Sequence, residues 1–219
     1  MPARDHILGV ILAGGRSRRF GGGDKALADL GGRSLLARVV ARFAPQVGRL
    51  VLNVNGDAAR FAQFGIETIP DRENAEQGPL SGLLAAMDWA SEAAPDVKLI
   101  ATASSDVPFL PSDFVARLDA ARNGGVAIAM SSDRRHPTIG LWPTNARSAI
   151  AEALARRALS VDRLAADLNA VAVAFPMRDI DGQEIDPFFN INTPDDLIAA
   201  AELLSRHGSC LTSPLPETF

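Results

Sequence analysis

The chain has 219 residues, is 47% hydrophobic, and carries a formal net charge of −4 with a pI near 5.4. That length and apolar content suffice for one substantial core, and the mild acidity excludes a general nucleic-acid-binding surface. The lone cysteine, Cys210, rules out a disulfide framework, and no apolar run approaches the ~20 residues that span a bilayer, so a cytoplasmic protein without membrane or signal segments is expected.

In chain order, Ile7–Leu12 reads as a buried strand that breaks into Ala13, Gly14, Gly15, Arg16, Ser17, Arg18, Arg19, Phe20, Gly21, Gly22, Gly23, Asp24 and Lys25. Glycines bare the backbone N–H groups while arginines and a lysine supply cations, a pairing that suits a polyanion such as a nucleoside triphosphate. This is not a Walker A loop, because Asp24 precedes Lys25 and Ala26 follows it. Nor is it a dinucleotide fingerprint, because Gly14 and Gly15 are adjacent and Arg16 to Phe20 follow.

Ser34 then caps a helix running to Ala44, Leu50–Val54 is a second strand, and a short helix over Asp57–Gln63 leads to a third strand, Ile66–Ile69. Gln77-Gly78-Pro79-Leu80-Ser81-Gly82 opens a helix that ends at Ala94, before Pro95. Val97–Ala103 is the fourth strand, and a helix from Pro111 to Arg122 follows it. Strands at Val126–Met130 and Thr138–Trp142 are joined by a polar turn, Ser131–His136. Helices at Thr144–Arg156 and Ser160–Leu168 and a strand at Ala170–Phe175 come next, then a helix capped by Thr193 with Pro194 at its first position. This alternation predicts a three-layer α/β fold around a mainly parallel, mixed sheet, with residues 1–207 as one domain and 208–219 as a disordered tail.

Ligands of such sheets sit beyond the carboxyl ends of the strands, where Gly14, Asn53, Asp71 and Asp106 all fall. Asp106, leaving an apolar strand ahead of Pro108, is a hard-oxygen ligand suited to Mg²⁺; its plainer reading is an Asx turn or a cap of the Pro111 helix. Asn190 and Asn192 fall two apart, so strand alternation puts both amides on one face, to complete a metal shell or to form turn-and-cap contacts. Asp71 and Asn53 are candidates for a base or ribose, while Gly78, Pro79 and Gly82 bring a helix N-terminus to an anion or a flat ring. His136, placed in a loop, reads as a structural or exposed residue, and Trp89 and Trp142 read as packing. No cysteine or serine nucleophile pattern is present, which leaves direct attack on a nucleoside triphosphate.

Together, Leu12–Lys25, Gly78–Gly82, Ser105–Pro108, His136–Leu141 and Phe188–Pro194 resemble the molybdenum cofactor guanylyltransferases, or molybdopterin-guanine dinucleotide synthases, over about 200 residues. The matching family patterns are LAGGxSxRMGxxDK, GPLxG, a CDxPF-like turn, HPTxxL and FFNINTP; Phe20 stands where methionine is usual and Ser105 where cysteine is usual. The resemblance implies a Rossmann-like nucleotide-diphospho-sugar transferase fold. It implies GTP held by Leu12, Ala13, Gly14, Lys25, Asn53, Asp71 and Asp106, with Gly15 in the same loop and Asp106 also on Mg²⁺. GMP would pass to the terminal phosphate of molybdopterin, with Lys25, Arg16 and Arg19 offsetting charge on the departing pyrophosphate. Its implied partners are molybdoenzymes, their chaperones and other cofactor-biosynthesis proteins. Two other readings compete: a cytidylyl or sugar-phosphate nucleotidyltransferase with the same phosphate end, and a nucleotide-binding regulator without turnover.

Overall fold

The computed structural model describes residues 4–14, 24–71, 78–180 and 183–206. The glycine-arginine loop from Gly15 to Gly23, with Arg16 and Arg19, and the tail with Cys210 lie outside the described residues. A seven-stranded sheet in the order β3-β2-β1-β4-β6-β5-β7 forms the middle layer. Its strands are β1 Ile7–Leu12, β2 Arg49–Asn53, β3 Glu67–Ile69, β4 Leu99–Ser104, β5 Ala127–Ser131, β6 Arg134–Pro143 and β7 Val171–Phe175. β6 runs antiparallel to both β4 and β5, and the other pairings are parallel, so the sheet is mixed as expected.

Strand alternation sorts β1 between two cores. Ile7 and Ile11 join α1 (Leu35–Phe43) and α3 (Phe114–Ala121) on one face, whereas Leu8 and Val10 join α2 (Pro79–Ala93), α4 (Arg147–Ala155) and α5 (Val161–Asp167) on the other. α1 shows why these segments are helical: Leu35, Leu36, Val39, Val40 and Phe43 fall on one buried face, and Ser34 Oγ accepts the Ala37 N–H at 3.2 Å. A third cluster packs α6 (Pro194–Arg206) through Ala200, Leu203 and Leu204 against Leu30, Phe109, Ile185 and Ile191. Trp142 is fully buried, and Trp89 donates from Nε1 to Glu67 Oε1 at 2.8 Å, so both serve packing.

Four expectations need correction. The Asp57–Gln63 helix is a 3-10 helix, Ala58–Phe64. The Pro111 helix begins only at Phe114, after Asp113. The Ser131–His136 turn shrinks to Ser132 and Asp133, and β6 starts at Arg134 with His136 buried inside it. Pro137 is tolerated there because the ladder shifts between Ile128 and Ala129, which face Gly140 and His136, so its missing N–H costs no pairing. Finally, residues 186–193 form no strand, so strand alternation does not place the two asparagines, and Asp186 Oδ1 accepts the Phe188 N–H at 2.8 Å. A small antiparallel pair, β8 (Arg178–Ile180) with β9 (Gln183–Ile185), was not anticipated.

Candidate active site

The carboxyl ends of four neighbouring strands are stitched together by backbone bonds just beyond the sheet. Ala13 N donates to Asn53 O at 2.9 Å, Ser105 N to Leu12 O at 3.2 Å, and Val54 N to Ile69 O at 3.0 Å. These bonds gather Leu12, Ala13, Gly14, Asn53, Asp71 and Asp106 at one edge, the place where open α/β sheets take their ligands.

At one end of that edge, Lys25 reaches Asp106. Asp24 caps the 3-10 turn Lys25–Leu27 through its Oδ1, which accepts the Ala26 N–H at 3.1 Å, and this aims Lys25 inward. Lys25 Nζ donates to Asp106 Oδ2 and, at 2.9 Å, to Asn192 Oδ1. The segment carrying Asn192 is docked on the same aspartate, because Ile191 N donates to Asp106 O at 3.0 Å. Residues 81 and 167 positions apart in sequence therefore meet.

Asp106 is no helix cap, since Asp113 precedes α3. Its Oδ1 is buried without a hydrogen-bond partner among the described residues, and so is Asn190 Oδ1. A buried carboxylate oxygen and a buried amide oxygen left bare are costly unless something fills the space between protein and ligand. Both are hard acceptors of the kind Mg²⁺ prefers, and together with Asn192 Oδ1 they fit that ion. No group of three His, Cys, Asp or Glu gathers among the described residues.

The Asn192 segment is fastened from behind by α6. Asp196 Oδ2 accepts the N–H groups of Asn192 and Thr193, each at 2.8 Å, and Thr193 Oγ1 accepts the Asp196 N–H at 3.1 Å. Burial alone would push the Asp196 carboxyl up, but the Asn192 N–H, the Thr193 donors and the Lys25 charge outweigh it and hold it below its ordinary value. Phe188, at the start of the segment, packs on the His136 ring with centroids 5.0 Å apart. His136 Nε2 lies 2.7 Å from Ser131 Oγ, and burial lowers its pKa against the opposing pull of Asp186.

At the other end, Asn53 Nδ2 donates to Asp71 Oδ1 at 2.8 Å and Asn55 Nδ2 to Asp71 Oδ2 at 2.8 Å. Asn55 was missed by the sequence reading, although an asparagine two residues after Asn53 lies on the same side of an extended chain. The neighbouring glycines are small because of these amides. A Cβ on Gly82 would stand 2.2 Å from Asn53 Oδ1, and one on Gly14 would stand 2.9 Å from Asn55 Nδ2. Gly78, just before Pro79 at the start of α2, adopts φ 72° and ψ −160°, a conformation that excludes side chains.

Residues 9–171 match the MobA-like NTP transferase domain. The chain is 45% identical over 212 residues to the molybdenum cofactor guanylyltransferase of Rhodopseudomonas palustris (strain BisB5), covering 94% of this chain and 99% of that relative. It is also 45% identical over 208 residues to the molybdenum cofactor guanylyltransferase of Mesorhizobium japonicum, covering 92% and 97%. The crystal structure of molybdopterin-guanine dinucleotide biosynthesis protein A from Archaeoglobus fulgidus shares the fold, with a TM-score of 0.67 at 24% identity over 91% of this chain and 99% of that one. By its sequence over nearly its whole length, the chain belongs to the molybdenum cofactor guanylyltransferase family of MobA-like nucleotidyltransferases.

Proposed function

We propose that the protein transfers GMP from GTP to the terminal phosphate of molybdopterin, forming molybdopterin guanine dinucleotide and pyrophosphate. The observation that carries this reading is the meeting of Lys25, Asp106 and Asn192, with Asp106 Oδ1 and Asn190 Oδ1 each buried without a partner among the described residues. Family membership supplies the substrates; the residue roles that follow are our assignment.

The terminal phosphate of molybdopterin titrates near pH 6, so at neutral pH an oxygen is already anionic and needs no strong base. That oxygen attacks the α-phosphorus of GTP, a new P–O–P bridge forms, and the bond to the β-phosphate breaks with its electron pair leaving on pyrophosphate. Two anions must meet, so the protein has to supply positive charge. Lys25 does so as a point charge on a flexible stem, able to move from Asp106 and Asn192 onto a phosphate oxygen without shifting the backbone. Arg16 and Arg19, outside the described residues, are assigned to the departing phosphates, and Leu12, Ala13, Gly14 and Gly15 to backbone contacts with the nucleotide. Mg²⁺ held by Asp106, with Asn190 and Asn192 beside it, would supply charge neutralisation on the triphosphate. Asn53 and Asp71 face the base, and Gly78, Pro79 and Gly82 line the helix start nearby. Molybdoenzymes, their chaperones and other cofactor-biosynthesis proteins are the partners we assign to the product, and a cytoplasmic setting suits them; among the described residues no helix is long and apolar enough to cross a membrane.

Pyrophosphate release on mixing the protein with GTP, Mg²⁺ and molybdopterin tests this directly. GTP is expected to be used in preference to CTP and UTP; preference for CTP would make the chain a cytidylyltransferase, and binding without release would make it a regulator.

A further inference from the structure

The Asp71 carboxylate is gripped from two sides. Besides the two amide bonds to its oxygens, the Asp71 backbone N–H donates to Asn55 Oδ1 at 3.1 Å, so Asn55 closes a ring onto this one residue. Asn53 Nδ2 spends its other hydrogen on Ile69 O at 3.2 Å. A carboxylate and a carbonyl only accept, so the amide nitrogens must face them, and chemistry fixes the orientation of both asparagines.

An ionised carboxylate has about four lone-pair directions, and the amides occupy one on each oxygen. Among the described residues no other donor reaches either oxygen, which leaves one direction on each, an arrangement suited to two parallel donors. Guanine alone among the common bases presents two adjacent N–H donors on one edge, N1–H and the 2-amino group. Adenine, cytosine and uracil each set an acceptor beside their donor. Asn55 is itself held in place: Arg60 Nη2 donates to Asn55 O at 3.3 Å while its Nε pairs with Asp24 Oδ2 at 2.6 Å, next to Lys25. Gly14 leaves room for the amide.

We infer that Asn55 is a specificity-determining positioning residue, which holds the Asp71 carboxylate in the plane that receives the two donors of guanine. This inference rests on the guanylyl-transfer reading and deepens it, since the clamp, and not Asp71 alone, sets the choice of base.

The test compares kcat/KM for pyrophosphate release with GTP and with inosine triphosphate, which lacks only the 2-amino donor, in the wild-type protein and in Asn55→Ala. The wild-type protein is expected to favour GTP by about tenfold or more, because a site built to pair a substrate N–H rejects the analogue lacking it. In Asn55→Ala that preference falls to about twofold through a higher KM for GTP, while kcat at saturating nucleotide stays within about twofold because Lys25 and Asp106 are untouched. An unchanged GTP-to-inosine ratio in the variant, even with both rates lowered, would overturn the assignment, since a merely structural role lowers both alike. Asn55→Ser provides the same comparison if the alanine variant does not fold. A wild-type protein that transfers from both nucleotides equally well would overturn the clamp while leaving guanylyl transfer standing. No release from GTP at all would bring down the transfer reading itself.

Discussion

At the Asp71 end of the site two neutral amides close on a carboxylate, one on each oxygen, whereas at the Asp106 end an ammonium meets a carboxylate and one oxygen has no partner among the described residues. In the first arrangement one amide on each oxygen fixes the plane of the carboxylate, so it behaves as a rigid template whose shape a ligand must match. The second is held by the Lys25 ammonium and leaves buried acceptors without donors among the described residues, so in the function we propose a cation and phosphates would complete it. In the function we propose, one end selects the base and the other carries the reaction. Substitutions should therefore separate into those that lower kcat and those that raise KM.

The largest effect is expected at the reactive end. Lys25→Ala should cut kcat/KM by about 10²–10³-fold, the scale seen when one donor to developing charge is removed. Thermal melting should stay within a few degrees, because neither Lys25 nor Asp106 is itself a member of the three apolar cores. A variant with near-normal turnover would erase the contrast between the two ends. Gly82→Ala should come next and act at the template. Its Cβ would lie 2.2 Å from Asn53 Oδ1 and 2.9 Å from Leu12 Cδ2. Overpacking of about 1–3 kcal/mol then outweighs the helix-propensity gain of about 1 kcal/mol, so the melting temperature should drop and KM for GTP rise with kcat little changed.

Asn192→Ala should have a smaller effect. It removes the 2.9 Å bond to Lys25 but leaves Asp106 in contact, so stability should fall by about 0.5–1.5 kcal/mol in denaturant unfolding, with a moderate loss of kcat. The smallest effect concerns pH and His136. Its folded-state pKa is depressed by burial below the ordinary value of about 6.5, so the unfolded chain binds the proton more readily. The stability His136 lends is complete above about pH 6.5, declines as pH falls below it, and levels off once the folded-state value is passed. His136→Gln should flatten that decline; an unchanged slope would show that the ring is not the group responsible. Asp196 acts in the same direction but in a more acidic window, since a lowered carboxyl loses its contribution only as pH falls through its folded-state value.

What could be read from the chain differed between these regions. β1 and β4 were legible because continuous apolar runs break at glycine or at Ser-Asp-Val-Pro, and the polar residues after them had to fall at one sheet edge. The meeting of Lys25 with Asp106 followed from that placement. His136 was misplaced because Asp133, Arg134, Arg135 and Pro137 look like a turn, and a bulge that excuses a proline from its ladder leaves no local trace. Asn55 was passed over because a polar residue beyond a strand usually belongs to a loop; only the partner, Asp71 at 16 positions' remove, gives it meaning. The β8–β9 pair had a signal, the Asp181-Gly182 dipeptide between its strands, that competed with nothing and went unused. Asn192 reaches Lys25 from a loop docked on Asp106 through Ile191, not from the strand that the alternation of FFNINTP suggests.

If Asp106 and Lys25 form one reactive end for guanylyl transfer, Asp106→Ala should abolish it. The initial rate of pyrophosphate release from GTP, with Mg²⁺ and molybdopterin present, should fall by about 10³-fold or more while the melting temperature holds. A folded Asp106→Ala protein that releases pyrophosphate at close to the wild-type rate would show that Asp106 takes no part in the transfer.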